Sequence, residues 1–470
     1  MALSRTAAVF ALALASAQPV LAQDDDEDSG QAPEQSTDDR VKQLEKSNEE
    51  LMEELELLKE DLDATNEQVE SLLPVKGRIS GYLDFGFFAT SGNGAGTRRE
   101  IDFEDTVFPE FDGIGPPGWV FLGDPLSTAI NSRGEPADTG ESRAVVFDSV
   151  DSEGHPTFIV NALNLALFAG LGEDLQLNAL VDFIPRGRNI SNPDGLFLGD
   201  YLDVKLAYAE YRLPIDRDVS LFAGKFDSVL GTEYRSQEAP DRLTVTPSLI
   251  CRYTCGHPLG VKARTSLLDK KLTANVSVTN GSHFWEGFDF ADEIDSNNAP
   301  TGAARVSVLP LGETVELGVS VAYGAQDAQS RNAVRQWHVG ADLHLSWRDL
   351  EIFAEYVVGR AKGDPQTSDF EGVNDCAEAP CLEYQGAYGL LGYRVTNAFI
   401  PYLRADWRDA LHRDGMSFVY ISELFRVTPG VRLEIATHVI IKAEYTVNTE
   451  LGRIPEFPND VFTSSVIIRY

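Results

Sequence analysis

Val461-Phe462-Thr463-Ser464-Ser465-Val466-Ile467-Ile468-Arg469-Tyr470 is the stretch on which the fold turns. Phe462, Ser464, Val466, Ile468 and Tyr470 fall on one side of an extended strand, and Thr463, Ser465, Ile467 and Arg469 on the other. Successive side chains of a strand point to opposite faces, so this is a two-residue period. The period is sharper at Trp337, Val339, Ala341, Leu343, Leu345 and Trp347, which alternate with His338, Gly340, Asp342, His344 and Ser346. One face there is apolar with an aromatic at each end, and the other is polar. Similar apolar faces recur at Leu175, Leu177, Ala179, Val181 and Phe183, at Leu272, Ala274, Val276 and Val278, at Val315, Leu317, Val319, Val321 and Tyr323, and at Phe399, Leu403, Ala405 and Trp407.

Laid end to end, the strands expected are 77–90, 157–169, 174–185, 200–213, 219–227, 258–268, 271–281, 301–310, 315–325, 336–347, 350–360, 384–395, 399–408, 424–435, 439–449 and 461–470. Short connections such as Arg348–Asp349 and Thr437–His438 alternate with long ones at 91–156, 228–257, 282–300 and 361–383. After residue 22 no apolar run reaches the ~18 residues of a membrane helix, so a membrane protein of this polarity crosses by strands, where only alternate residues meet lipid. The fold expected is an all-β transmembrane barrel of about 16 antiparallel strands over residues 77–470, preceded by an N-terminal α-helical coiled coil. Two places resist the pattern. Val204–Leu213 has ambiguous faces, and Pro429 falls inside a strand, where a closed barrel tolerates proline at a bulge.

The N-terminal region is of another kind. Met1 to Ala22 carries Arg5, an apolar run over Ala7–Ala17 and small residues before Gln23, the order of a secretory signal peptide, with Ala15-Ser16-Ala17 as a second possible cut site. Residues 23–38 are acidic, lack aromatics and read as a disordered linker. Over 39–74 a heptad runs: Val41, Asn48, Leu55, Leu62 and Val69 at a, and Leu44, Leu51, Leu58, Thr65 and Leu72 at d, until Pro74 ends it. Such a narrow seam favours self-association. Asn48 at an a position sets register and favours two strands, whereas a trimeric barrel would bring three helices together.

The net charge of −35 excludes nucleic acid as a partner. Cys251/Cys255 and Cys376/Cys381 form two tight pairs, which in an exported chain read as two local disulfides. Catalytic motifs are missing: there is no phosphate loop or HExxH helix, and no cofactor or metal is expected. His338, Asp342 and His344 share a strand face, where a metal or acid–base role competes with ordinary lumen lining.

Three stretches carry a family resemblance. The alternating strand ending at Tyr470 resembles the C-terminal recognition strand of bacterial outer-membrane barrels, with Tyr in place of the commoner Phe. That likeness implies that the barrel assembly machinery reads Phe462, Val466, Ile468 and Tyr470. Gly224-Lys225-Phe226-Asp227-Ser228-Val229-Leu230-Gly231-Thr232-Glu233-Tyr234 resembles the end of strand five in porins of the β-barrel porin and phosphate-selective porin O and P-like group, and Thr279-Asn280-Gly281 resembles the close of strand seven. The resemblance implies a homotrimeric pore in the outer membrane of a diderm bacterium, among lipopolysaccharide, with the N-terminal segment in the periplasm. It also implies a third long loop folded into the barrel.

On that reading Lys225, Lys262, Arg264 and Arg305 form a basic inner strip, with Arg404 and Asp406 on a later strand. The third loop sets Glu233, Glu238 and Asp241 against them, so charge at the narrowest point governs passage. Carboxylates such as Asp182, Glu316, Glu355 and Glu444 also face inward. The lumen therefore lacks the uninterrupted cationic ladder of a phosphate channel, and general diffusion of small hydrophilic solutes is expected. The first long loop, 91–156, reads as an ordinary surface loop, with capping of the mouth or contact with a neighbouring subunit as the alternatives. The competing function is structural: a barrel tethered to the cell wall through its coiled coil, with little channel activity.

Overall fold

The computed structural model describes residues 76–91, 97–99, 118–121, 155–172, 174–183, 202–280, 300–325, 335–362, 366–367, 374–375, 381–414, 418–451 and 460–470. The signal peptide, the acidic linker, the heptad with Asn48, and Cys376 lie outside the described residues.

Sixteen antiparallel strands close into one barrel. In chain order they are β1 (Lys76–Thr90), β2 (Thr157–Leu171), β3 (Leu175–Phe183), β4 (Leu202–Arg212), β5 (Asp218–Lys225), β6 (Leu259–Leu267), β7 (Leu272–Thr279) and β8 (Thr301–Val308). They continue as β9 (Val315–Ala325), β10 (Arg335–Trp347), β11 (Leu350–Lys362), β12 (Cys381–Tyr393), β13 (Phe399–Asp414), β14 (Phe418–Ala436), β15 (Val439–Glu450) and β16 (Val461–Arg469). Each pairs with its sequence neighbour, and β16 returns to β1 in the register Tyr82↔Arg469 to Thr90↔Val461. Closure removes the unpaired edges an open sheet would present.

The wall is inside out relative to a soluble protein. On β9, Leu317, Val319, Val321 and Tyr323 face outward and exposed, while Ser320 between them is 1 % exposed. On β15, Tyr445 and Val447 are exposed while Lys442, Glu444, Thr446 and Asn448 are buried. An apolar outer face is stable where alternate residues meet lipid. Among the described residues no helix is long and apolar enough to cross a membrane.

Two bulges explain the blurred alternation. The β3–β4 register runs Leu180↔Leu206 and then Val181↔Val204, so Lys205 is the extra residue. Leu202 and Val204 face out before it; Ala207 and Tyr211 face out after it. The β1–β2 ladder likewise steps from Asp84↔Ala162 to Phe85↔Val160 and leaves Asn161 unpaired and fully buried. At Pro429 the expected bulge is absent. The ladder to β15 lapses at Thr428 and Pro429 and resumes in the same register at Gly430↔Glu444. Proline, having no N–H, simply omits its bond. Next to it Gly430 leaves room for the Tyr402 ring, which lies where a β-carbon would be.

The β13–β14 hairpin is longer than expected, with Asp409↔Glu423 to Asp414↔Phe418 still paired. β15 stops opposite Leu424, and backbone from the first long loop takes over the freed edge of β14: Gly118, Trp119 and Val120 pair in parallel with Val419, Tyr420 and Ile421. The described part of that loop thus reaches its own barrel's rim.

Candidate functional site

Residues 226–258, the third long connection, leave the wall after β5. Val229, Leu230, Leu243, Ile250 and Tyr253 form one buried cluster with Val357, Tyr384, Tyr388, Leu390, Ile400 and Tyr402 from the inner wall. The loop is therefore folded into the barrel. Tyr253 stacks on Tyr384 with ring centroids 4.0 Å apart. A single helical turn, Cys251–Thr254, is closed by the Cys251–Cys255 disulfide. Gly231 takes φ +66°, a turn that a side chain would strain, and a β-carbon there would strike the Glu355 carboxylate.

A backbone that leaves the sheet must find other partners for its N–H and C=O groups. Here charged wall residues supply them. Glu355 on β11 accepts the N–H groups of Thr232 and Glu233, both at 2.6 Å, and the Thr232 hydroxyl at 2.7 Å. Glu444 on β15 accepts the N–H groups of Val245 (2.8 Å) and Thr246 (2.9 Å), the Thr246 hydroxyl, and Tyr402 OH (2.9 Å). Arg432 and Lys442 donate to the carbonyls of residues 239–244, among them Arg432 Nη1 to Pro240 O at 2.8 Å and Lys442 Nζ to Thr244 O at 3.1 Å. Further round the wall Glu238 accepts Tyr82 OH at 2.7 Å and binds Lys205, which also pairs with Asp182 at 3.2 Å.

Each residue expected at the constriction has a defined place. Lys225 ends β5, buried at the root of the loop. Lys262 donates to Asp227 O at 3.3 Å and lies over the Phe222 and Phe226 rings, 4.5 and 4.7 Å from their centroids. Arg264, exposed, pairs with Glu210 at 2.9 Å. Arg305 is buried, held by Asp342 and by Glu316, which also takes a two-pronged bond from Arg235 (2.8 Å each). Glu233 is buried and accepts Ser248 N at 2.8 Å. Arg404 and Asp406 pair with each other at 2.8 Å and grip the loop through Thr244 Oγ1 and Leu249 N. Asp241 stays exposed and borders a cleft of ≈ 50 Å³ with Arg242, Thr244, Glu351, Phe353 and Tyr388.

These residues thus divide. Arg264, Lys262 and Asp241 reach water; Arg305 is buried in contacts within the wall, Glu233 in a contact within the loop, and Arg404 and Asp406 in contacts that join loop to wall. Sequence reasoning missed Tyr82, Asn164 and Lys205 as loop partners. A lone lysine within a strand of ambiguous faces was the available signal for Lys205. His338, Asp342 and His344 do not converge: His338 bonds Tyr384 OH at 2.8 Å, Asp342 holds Arg305, and His344 stacks on Phe353 beside Glu351. Glu233, Cys251 and Cys255 lie close together, but the disulfide uses both sulfurs, so no metal ligand set remains there.

The loop's carboxyls are tuned by these partners. Burial pushes Glu233 up despite the bonds from Ser248, and burial with the nearby Glu238 charge raises Asp241. Burial would raise Glu238 too, but the Lys205 charge and hydrogen bond and the Tyr82 hydroxyl outweigh it and hold it below the usual range. Asp227 is likewise held down against burial by His257, with Lys262 and Lys205 adding to it.

The profile of the family described as "Putative beta-barrel porin-2, OmpL-like" matches residues 185–465, more than half of the chain. The chain belongs to this porin family. No curated protein sequence matches it. Among solved structures, the barrel of this porin-2 chain is similar to the loop L8 deletion mutant of OmpT, an outer membrane protein of Vibrio cholerae, at 9 % identity, covering 84 % of this chain and 99 % of that one, with a TM-score of 0.47. It is similar to the trimer form of the same Vibrio cholerae protein at 10 % identity, with coverages of 84 % and 99 % and a TM-score of 0.45. An anion-selective porin from Comamonas acidovorans matches at 10 % identity, 84 % and 99 % coverage and a TM-score of 0.43.

Proposed function

We propose that this porin-family barrel forms a water-filled channel for passive diffusion of ions and small hydrophilic solutes across the outer membrane, constricted by the third loop. The observation that carries the reading is an apolar outer wall around a polar interior, with residues 226–258 held against that interior by charged groups. The reading involves no chemical step. Water-facing Lys262, Arg264, Arg235 and Asp241 set the ion preference, while Lys225, Arg305, Arg404, Asp406, Glu233 and Glu238 shape the constriction. The assembly is a homotrimer, the short connections and the heptad at 39–74 face the periplasm, and the outward residues Phe462, Val466, Ile468 and Tyr470 serve recognition by the assembly machinery. Single-channel recording of the purified mature protein in planar bilayers, with reversal potentials in a salt gradient, tests the proposal. Discrete steps, in threes, are expected; a folded barrel silent at every salt concentration overturns it.

The five-heptad seam supports a second role beside the pore, as a tether to the cell wall. Deleting residues 24–74 then loosens envelope attachment while conductance stays intact. If the seam is only an oligomer staple, the deletion lowers oligomer stability and leaves attachment unchanged.

A further inference from the structure

The two carboxylates that hold the third loop use their oxygens differently. Glu355 takes all three loop donors, Thr232 N, Thr232 Oγ1 and Glu233 N, on Oε1 alone, and Tyr388 OH approaches the same atom at 3.5 Å. Its Oε2 is buried without a hydrogen-bond partner, beside Gly231. Glu444 divides its work. Oε1 accepts Thr246 N and Thr246 Oγ1, and Oε2 accepts Val245 N and Tyr402 OH. The two sites lie on β11 and β15 and catch the loop at residues 232–233 and 245–246, on either side of its water-facing segment around Arg235 and Asp241.

We infer that Glu355 and Glu444 are the positioning residues that set the width of the constriction, and that only Glu444 needs both carboxylate oxygens. The inference rests on the reading of the third loop as the constriction. A glutamine at 355 keeps one carbonyl oxygen for the three loop donors; its own NH₂ goes unpartnered beside Gly231, a cost that leaves the loop's bonds in place. The same change at 444 sets an NH₂ against an N–H or hydroxyl that needs an acceptor, whichever way the amide turns. A buried donor left without an acceptor costs more than the bond was worth. Alanine at either position removes the acceptors altogether.

Two readouts separate this inference from the channel proposal. The first is maleimide labelling of Val245→Cys, whose side chain is 2 % exposed and whose backbone N–H alone is used by Glu444. The second is single-channel conductance of the same proteins, with heat-modifiable migration in gels as the check that each barrel has folded. Against the Val245→Cys background, Glu444→Gln and Glu444→Ala are expected to raise labelling on the order of tenfold. Glu355→Gln labels at the background rate and Glu355→Ala again labels faster. Conductance rises in the variants that label faster. Background-level labelling in folded Glu444→Gln and Glu444→Ala overturns the inference and leaves the channel proposal standing, as does a Glu355→Gln protein as loose as Glu355→Ala. The expected labelling pattern with no conductance in any variant upholds the positioning role and overturns the channel.

Discussion

Val319 lies at the middle of the outward face of β9, 59 % exposed and paired with Val306 and Ala341 on either side. Tyr323, four residues on, is 58 % exposed on the same face. At a rise of ~3.4 Å per residue and a tilt of ~40°, the two are about 10 Å apart along the barrel axis. The apolar band of such a barrel is ~25 Å tall, so Val319 sits near its midplane when Tyr323 sits near its rim. Replacing each by arginine therefore separates depth from exposure. Val319→Arg is expected to cost about 2–4 kcal/mol and Tyr323→Arg about 0–1 kcal/mol. The assay is reversible guanidinium titration of the protein folding into lipid vesicles, followed by tryptophan fluorescence. On an outer face in water both substitutions would stay within about 0.5 kcal/mol. Equal costs at the two positions, or a Val319→Arg cost below about 0.5 kcal/mol, would refute the assignment of this face to lipid.

Three further outcomes follow from the interior. Lys205 is buried between Asp182 and Glu238, so Lys205→Met strands two carboxylates and is expected to cost about 3–5 kcal/mol in the same titration, with most of it regained on adding Asp182→Asn and Glu238→Gln. Glu238 and Asp227 have folded pKa values below their unfolded ones, about 4.3 and 3.9, so their contribution is complete above those values and is lost as pH falls through the depressed ones. Glu233 and Asp241 are raised, so the folded loop takes protons there first and mild acid does not loosen it. Labelling at Val245→Cys by 2,2′-dithiodipyridine, each rate divided by that of a free thiol at the same pH because the thiolate is what reacts, should stay flat from about pH 7 to 5 and rise only below about pH 4. Replacing Cys251 and Cys255 by serine opens a ring closed across four residues of sequence and should lower stability by up to about 2 kcal/mol, while the wall contacts keep conductance near that of the parent.

The barrel was legible because every strand is read by two solvents at once. Lipid selects the outward residue and the polar interior selects its neighbour, so a local two-residue period carries the fold, and an even strand count brings β16 back to β1. The signal faded where that contrast ends. Residues 409–423 carry no clean two-residue apolar period in the sequence, and the pairing of 409–414 with 418–423 was missed. It also faded at Asn161 and Lys205, where one extra residue reverses which parity faces inward.

The interior was legible only in part. Alternation marks Glu355, Arg404 and Glu444 as inward, but the residues they grip lie far off in sequence: Glu355 bonds Thr232 across 123 positions, and Glu444 bonds Val245 across 199. Charges expected to line an open path, Arg305 and Arg404 among them, turn out to be enclosed by such contacts. By itself the sequence determined the lipid-facing stripe, the number of strands and their up-and-down order, since each depends on residues adjacent along the chain. Only the tertiary structure decided which charges meet water and which hold the third loop. Hydrogen bonds act over about 3 Å, and it is barrel closure that brings those distant groups within reach.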